Sequence, residues 1–288
     1  MSFQDQLARR TQQISTALTQ SIDAFHPSDV TDGMRYAAVG GKGLRGFLVM
    51  EGAALFDAPD TKSIFAAAAI EAIHAYSLVH DDLPCMDDDD LRRGQPTVHI
   101  RWTEATAVLV GDALQSLAFE LVTRGSLDAE VKLELVASLA TAAGAGGMVR
   151  GQTLDIAAET ADRPLGLDEI TELQSCKTGA LIEWAAMAGP KIAGEDTGPL
   201  AQYATALGLA FQIADDILDV TGDETKAGKR LQKDQDAGKA TFVTLLGLDG
   251  AKTRARELVA EALHALTPYN AKADILRDAA RFVISREF

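Results

Sequence analysis

Cysteine, proline and positive charge are all scarce in this chain of 288 residues. Its two cysteines, Cys85 and Cys176, cannot build a disulfide framework, and neither belongs to a CxxC pair that would suggest zinc or redox chemistry. Against 42 Asp and Glu stand only 27 Lys and Arg, a formal net charge of −15 that argues against generic binding of a nucleic-acid backbone by a basic surface. Long apolar runs are missing too. The longest uncharged stretch, Thr197 to Ala214, is broken by Gly198, Pro199, Gln202, Gly208 and Gln212 and makes a poor bilayer span. The first ten residues lack the basic-then-apolar order of a secretory leader, so a cytoplasmic protein with no stable membrane anchor is expected. With 47% apolar and 24% charged residues, the composition is that of a folded globular chain rather than a disordered one.

Helix-period patterning runs almost without interruption, and no series of alternating strands separated by hairpin turns is present. The chain reads as all-α. Helices are expected over about Phe3–Phe25, Val30–Val39, Leu44–Leu55 and Ser63–Leu83, then near 104–123, 128–148, 168–188, 197–220, 239–247, 252–266 and 271–285. The stretch from Ser63 to Leu83 is apolar almost all round, which places it in a core. A charged, glycine-containing loop is expected from Thr221 to Gly238, and no Pro/Ser-rich linker divides the chain, so residues 1–288 read as one domain.

Acidic clusters follow two of the most apolar helices. Asp81 to Asp90 holds six carboxylates in ten residues, and Pro84 should break the helix so that Asp87 returns toward Asp81. In the second cluster Gln212, Asp215, Asp216 and Asp219 fall at i, i+3, i+4 and i+7, on one helical face. Either cluster alone is the kind of acidic run that solvates a helix end. Together, on two core helices, they suit hard Mg²⁺ ions that take one or two protein oxygens and complete their shell with water and phosphate. The cations agree with a phosphorylated substrate: Gly40-Gly41-Lys42-Gly43-Leu44-Arg45 is a flexible basic turn, Arg92 and Arg93 follow the first cluster, and Lys177, Lys229 and Lys239 flank the second. His74 lies two turns before Asp81 on the same face, where it could meet a ligand or simply satisfy a backbone carbonyl.

These residues resemble the trans-isoprenyl diphosphate synthase family, most of all its bacterial farnesyl type. The similarity runs from about Tyr36 to Phe242: Asp81-Asp82-Leu83-Pro84-Cys85-Met86-Asp87 matches the first aspartate-rich motif, continuing into Arg92-Arg93-Gly94, and Asp215 to Asp219 matches the second. Between them stand Gly111-Asp112, Gly151-Gln152, Lys177-Thr178-Gly179 and Phe211-Gln212. Two positions depart from the pattern, with Gly43 where a basic residue is usual and Gly46 where a proline often stands.

The resemblance implies a single large helical bundle around a central cavity, usually a homodimer, that joins isopentenyl diphosphate to allylic diphosphates by ionisation, condensation and elimination. It implies three Mg²⁺ ions held by Asp81, Asp82, Asp87 and Asp215, with Asp216 and Asp219 assisting. Arg92, Lys177, Lys229 and Lys239 would then hold the allylic diphosphate, while Lys42, Arg45, His74 and Arg93 hold isopentenyl diphosphate. Lys177, Thr178 and Gln212 are the implied stabilisers of the carbocation. Tyr76, five residues before Asp81, and Ser77, four before it, would set product length; an aromatic there favours farnesyl diphosphate, and a twenty-carbon product is the alternative. A class I terpene cyclase would ordinarily carry an NSE-type second metal motif and need no second diphosphate site. A non-catalytic relative would typically have lost metal aspartates or lysines that this chain keeps, and nucleotide-dependent phosphoryl transfer lacks its GxxxxGK[ST] loop.

Overall fold

A computed structural model describes residues 2–221 and 240–285. The expected loop from Thr221 to Gly238, with Lys229 and Lys239, lies outside the described residues apart from Thr221, which ends a helix. Internal contacts divide the chain into two compact units, one ending at Val136 and the other beginning at Ala137. Each is described by itself.

The first unit holds α1 (Phe3–Ile22), α2 (Asp29–Ala38), α3 (Leu44–Ala54), α4 (Asp60–Asp81), a hairpin of β1 (Leu91–Arg92) and β2 (Gln95–Pro96), the short α5 (Val98–Arg101) and α6 (Glu104–Thr123). Helix α7 (Ala129–Ala143) crosses into the second unit. There follow α8 (Met148–Glu159), α9 (Leu167–Gln174), a π-helical turn at Ser175–Gly179, α10 (Ala180–Ala193), α11 (Gly198–Thr221), α12 (Phe242–Ala265), a 3₁₀ stretch at Thr267–Ala273 and α13 (Asp274–Ser285). The fold is all-α, with a two-residue strand pair as the sole sheet among the described residues.

Local signals set many of these boundaries. Ser2 caps α1 and Ser28 caps α2, each in a reciprocal box with the residue three places on, and Thr241 does the same for α12. Helix α4 is buried as its composition demands: Ala66, Ala67, Ala68, Ala69, Ile70 and Ile73 are sealed between α3 and α6. Small residues make that packing close. A Cβ on Gly111 of α6 would stand 1.9 Å from Nε2 of His80, whose ring bonds the Val108 carbonyl, so α4 lies against α6 only because that position is bare.

Three expectations change. The span 168–188 is two helices joined by the π turn, and the two segments at 239–247 and 252–266 merge into α12, kinked at Gly247. The span 128–148 stops at Ala143, and α8, the β1–β2 hairpin and α5 were not anticipated. Helix α8 buries only Met148 and Gly151, too few apolar positions to announce a period, and two-residue strands carry no alternation. By length and composition α4 and α6 could each cross a membrane, yet the apolar window of α4 is 61% buried inside the protein, as in the core helix of a soluble fold.

Gly111→Ala should lower unfolding stability by about 1–3 kcal/mol, the usual cost of overpacking a closed contact, read as a fall in the urea midpoint. An unchanged midpoint would contradict the α4–α6 packing.

Candidate functional site

In the first unit, helix α4 ends at Asp81, and the chain after Pro84 folds back so that the Asp87 N–H donates to the Asp81 carbonyl at 2.8 Å. Asp87 therefore returns to Asp81, as the proline led one to expect. Asp82 is only 3% exposed, and its Oδ1 accepts two bonds from the Arg92 guanidinium, at 2.7 Å from Nε and 2.5 Å from Nη2. Burial raises the Asp82 pKa and the Arg92 pairing opposes it. Asp89 joins Arg92 at 3.5 Å, so this guanidinium ties the loop to the helix end.

The β1–β2 hairpin turns on Arg93 and Gly94, both at positive φ (53° and 71°), the geometry of a two-residue primed turn. It sends Arg93 back to the glycine loop, where Nη1 donates to the Val39 carbonyl at 2.9 Å and Nη2 would stand 3.2 Å from a Cβ on Gly41. The two departures at Gly43 and Gly46 now have physical reasons. Gly43 caps α3 at φ 63°, where a side chain would be strained and would strike Thr11. The Gly46 N–H donates to Glu71 Oε1 at 2.7 Å, a bond no proline could make.

Glu71 was missed in the sequence, although a lone carboxyl one turn before His74 on an apolar helix was there to be read. Desolvation raises its pKa, opposed by the Gly46 N–H and by the charges of Arg45 and Arg93. The charges of the same two arginines, with that of Arg92, act on His74. Desolvation first and those cations second push its pKa well below 6.5, leaving a neutral imidazole. Arg45, His74 and Arg93 thus share one region of the first unit, bordered by the glycine loop that carries Lys42. Lys42 is exposed and anchored through its carbonyl, which accepts the Thr11 hydroxyl.

Tyr76 is 5% exposed and meets His80 edge to face at 5.9 Å. Burial raises its pKa, and Gln115 approaches the hydroxyl without reaching hydrogen-bond geometry. Ser77 is half-buried and donates to the His74 carbonyl.

The second unit holds the other half of the residues. The π turn places Lys177 and Thr178, and extra-wide turns of this kind are frequent at functional sites. It fits because Gly151 of α8 is bare; a Cβ there would lie 2.1 Å from the Lys177 backbone nitrogen. Lys177 Nζ pairs with Asp155 at 2.6 Å, a partner the sequence reading passed over although it lies one turn beyond Gly151.

Asp216 is 5% exposed and accepts the Phe242 N–H at 2.8 Å and Gln212 Nε2 at 3.2 Å. Gln212 Oε1 in turn accepts the Thr178 hydroxyl at 3.2 Å. Asp215 and Asp219 are half-buried. Lys229 and Lys239 lie outside the described residues.

Asp81 ends α4, Asp87 lies in the turn beyond it and Asp215 in the last two turns of α11; all three are hard oxygen donors, which suits Mg²⁺ better than a soft or nitrogen-seeking metal. Among the described residues no three acidic, histidine or cysteine side chains form a ready-made cage. A cation that binds through one or two carboxylates plus water and phosphate needs none.

The polyprenyl synthetase family model matches residues 28–279. A farnesyl diphosphate synthase of Haemophilus influenzae is 44% identical, over 96% of this chain and 97% of its own length. One of Escherichia coli is 43% identical over 99% of both. A chloroplastic geranylgeranyl pyrophosphate synthase of Arabidopsis thaliana is 38% identical over 99% of this chain and 81% of its own. Among solved structures, an FPP/GFPP synthase from Zymomonas mobilis superposes with a TM-score of 0.89 at 42% identity, covering 98% of this chain and 99% of that one.

A neutral, half-buried histidine makes stability depend on pH with a definite sign. Below about pH 6.5 the unfolded chain takes up a proton at His74 that the folded chain refuses, so stability falls as pH drops. Between about pH 7.5 and about pH 5.5, His74→Gln should therefore lose less urea stability than the wild-type chain. Equal losses would contradict the neutral assignment.

Proposed function

The chain belongs to the polyprenyl synthetase family, and from that premise we propose that it condenses isopentenyl diphosphate with dimethylallyl and geranyl diphosphates to make farnesyl diphosphate. It is a prenyltransferase enzyme. The observation that carries the reading is that each unit sets aspartates and cations close together: Asp81 and Asp82 at the end of α4 with Arg92, Arg45 and Arg93 acting on the neighbouring His74, and Asp215 on α11, whose Gln212 accepts the hydroxyl of Thr178 next to Lys177.

Asp81, Asp87 and Asp215 would hold Mg²⁺, three ions in all, while Asp82 and Asp216 are spent on holding the fold. Bound there, Mg²⁺ supplies Lewis-acid stabilisation of the diphosphate as the carbon–oxygen bond breaks. Arg92 and Lys177 add positive charge to that diphosphate, with Lys229 and Lys239 assigned to the same group by the family resemblance. Isopentenyl diphosphate belongs with Lys42, Arg45, His74 and Arg93. The neutral state of His74 lets it donate a hydrogen bond without adding a fourth charge to a region already crowded with guanidinium groups.

The Thr178–Gln212–Asp216 chain gives the carbocation its partner. Asp216 can only accept, so it draws the amide of Gln212 toward itself and leaves Gln212 Oε1 to take the Thr178 proton. Thr178 then offers an oxygen lone pair, rather than a proton, to positive charge. The isopentenyl double bond attacks the cation, and the proton lost afterwards goes to the departed diphosphate. Asp155 fixes the Lys177 ammonium and so positions it for the diphosphate.

Tyr76 would close the hydrocarbon pocket at fifteen carbons, with Ser77 beside it. The match of one family model across both units favours one catalytic domain, and cytoplasmic location and a homodimer complete the proposal.

Purified protein with Mg²⁺, labelled isopentenyl diphosphate and a five- or ten-carbon allylic diphosphate should accumulate a fifteen-carbon product, and Tyr76→Met should lengthen it to twenty carbons or more. A twenty-carbon product from the wild-type chain would overturn the role of Tyr76, and no elongation with any starter would overturn the synthase reading.

A further inference from the structure

Helix α4 presents more than one working face. At about 100° per residue, His74, Ser77 and Asp81 lie together, while Ala75, Leu78, Val79 and Asp82 centre roughly 120° away round the helix. A cavity of about 540 Å³ opens on that second face, wholly within the first unit. Its far walls are the end of α2 at Tyr36 and Ala37, the following Val39, and Pro96 and Val98 beyond the hairpin turn. Lys42, Arg45, His74 and Asp81 are not among its walls. Volume and lining are those of a small-molecule site: mostly apolar surface with a few polar groups at the ends.

Charge at the two ends narrows the occupant. Arg35 is neutralised by Asp23 at 2.6 Å and by Asp32 at 2.7 Å. At the other end Arg92 is engaged by Asp82 and Asp89. Arg93, by contrast, spends Nη1 on the neutral Val39 carbonyl and forms no salt bridge within 4 Å among the described residues. One cation at the mouth of an apolar cavity fits a short hydrocarbon chain with a phosphate head.

We propose that this cavity is a third ligand site, bordering the two diphosphate groups through Arg92 and Arg93 but with an apolar floor of its own, for a small apolar-tailed phosphate whose head meets Arg93 and whose tail lies along Ala75, Leu78 and Val79. Arg93 also belongs to the isopentenyl diphosphate group of the proposed function. Cavity ligand and diphosphate therefore weaken each other by one reciprocal factor, which levels off once the other site is full. That coupling rests on the synthase reading; binding in the cavity does not.

Trp102 supplies the reporter, its ring 5.5 Å from that of Tyr36 on the cavity wall. The chain has two tryptophans, so Trp184→Phe leaves Trp102 as the single emitter. Octyl phosphate titrated into that full-length protein should give a saturable change in emission, with inorganic phosphate (no tail) and octanol (no head) each binding at least tenfold more weakly. Saturating inorganic diphosphate should raise the apparent Kd to a plateau. Ala37→Phe fills the cavity from α2 and should weaken octyl phosphate at least tenfold while leaving prenyl transfer in its absence unchanged. Should Ala37→Phe not fold, Val39→Phe at the 56%-exposed mouth makes the same test of binding. A response that never saturates, displacement by diphosphate without a plateau, or undiminished binding in the cavity-filled variant would overturn the proposal.

Discussion

A carboxylate buried on an apolar helix must be partnered, and the pairs Asp81–Asp82 and Asp215–Asp216 meet that demand by dividing their labour. The second member of each pair is buried and consumed by the protein: Asp82 by the Arg92 guanidinium, Asp216 by the Phe242 N–H and the Gln212 amide. Breaking the Asp82–Arg92 pair would leave an uncompensated buried charge, a loss of about 3–5 kcal/mol in comparable pairs. The first members, Asp81 and Asp215, are half-buried rather than sealed. Two adjacent aspartates thus differ in the fold: the second of each pair is bound to the protein, and in the proposed function the first is kept for a cation.

In each unit other groups are arranged from those anchors. Arg92, fixed by Asp82, sets the hairpin whose turn aims Arg93 at the glycine loop. Asp216 orients Gln212, Gln212 orients Thr178, and the π turn that carries Thr178 also carries Lys177 to Asp155. Glycines allow these approaches at the few places where a side chain would collide: Gly46 against the Ala67 carbonyl, Gly111 against His80, Gly151 against the Lys177 backbone. Preorganisation of this kind matters because a carbocation gains most from dipoles that need not reorient when charge appears.

Much of this was legible in the sequence. Helical period placed α1 to α4, α6 and α11 within a few residues, and the return of Asp87 to Asp81 followed from Pro84 alone. What stayed hidden depends on contacts between residues distant in the chain. Glu71 looks like one more polar residue on α4 until Gly46 is brought beneath it, and Asp155 gains meaning only when Lys177 arrives from 22 residues away. Helix α8 escaped notice because it buries too little to show a period, and the π turn because its widened geometry has no signature in composition. The family resemblance supplied roles that period and spacing could not, and the structure gives reasons for the two positions, Gly43 and Gly46, at which the chain departs from it.

In the proposed function the first aspartate of each pair, with Asp87, is reserved for divalent cations that bind diphosphate. Crystals soaked with Mn²⁺ in place of Mg²⁺, together with inorganic diphosphate, test it directly through anomalous scattering. Anomalous peaks bonded to the side chains of Asp81, Asp87 and Asp215, with Asp82 still on Arg92 and Asp216 still on the Phe242 N–H, are the expected result. Diphosphate bound with no Mn²⁺ at these three carboxylates, or Mn²⁺ bound to Asp82 and Asp216 in their place, would contradict the account.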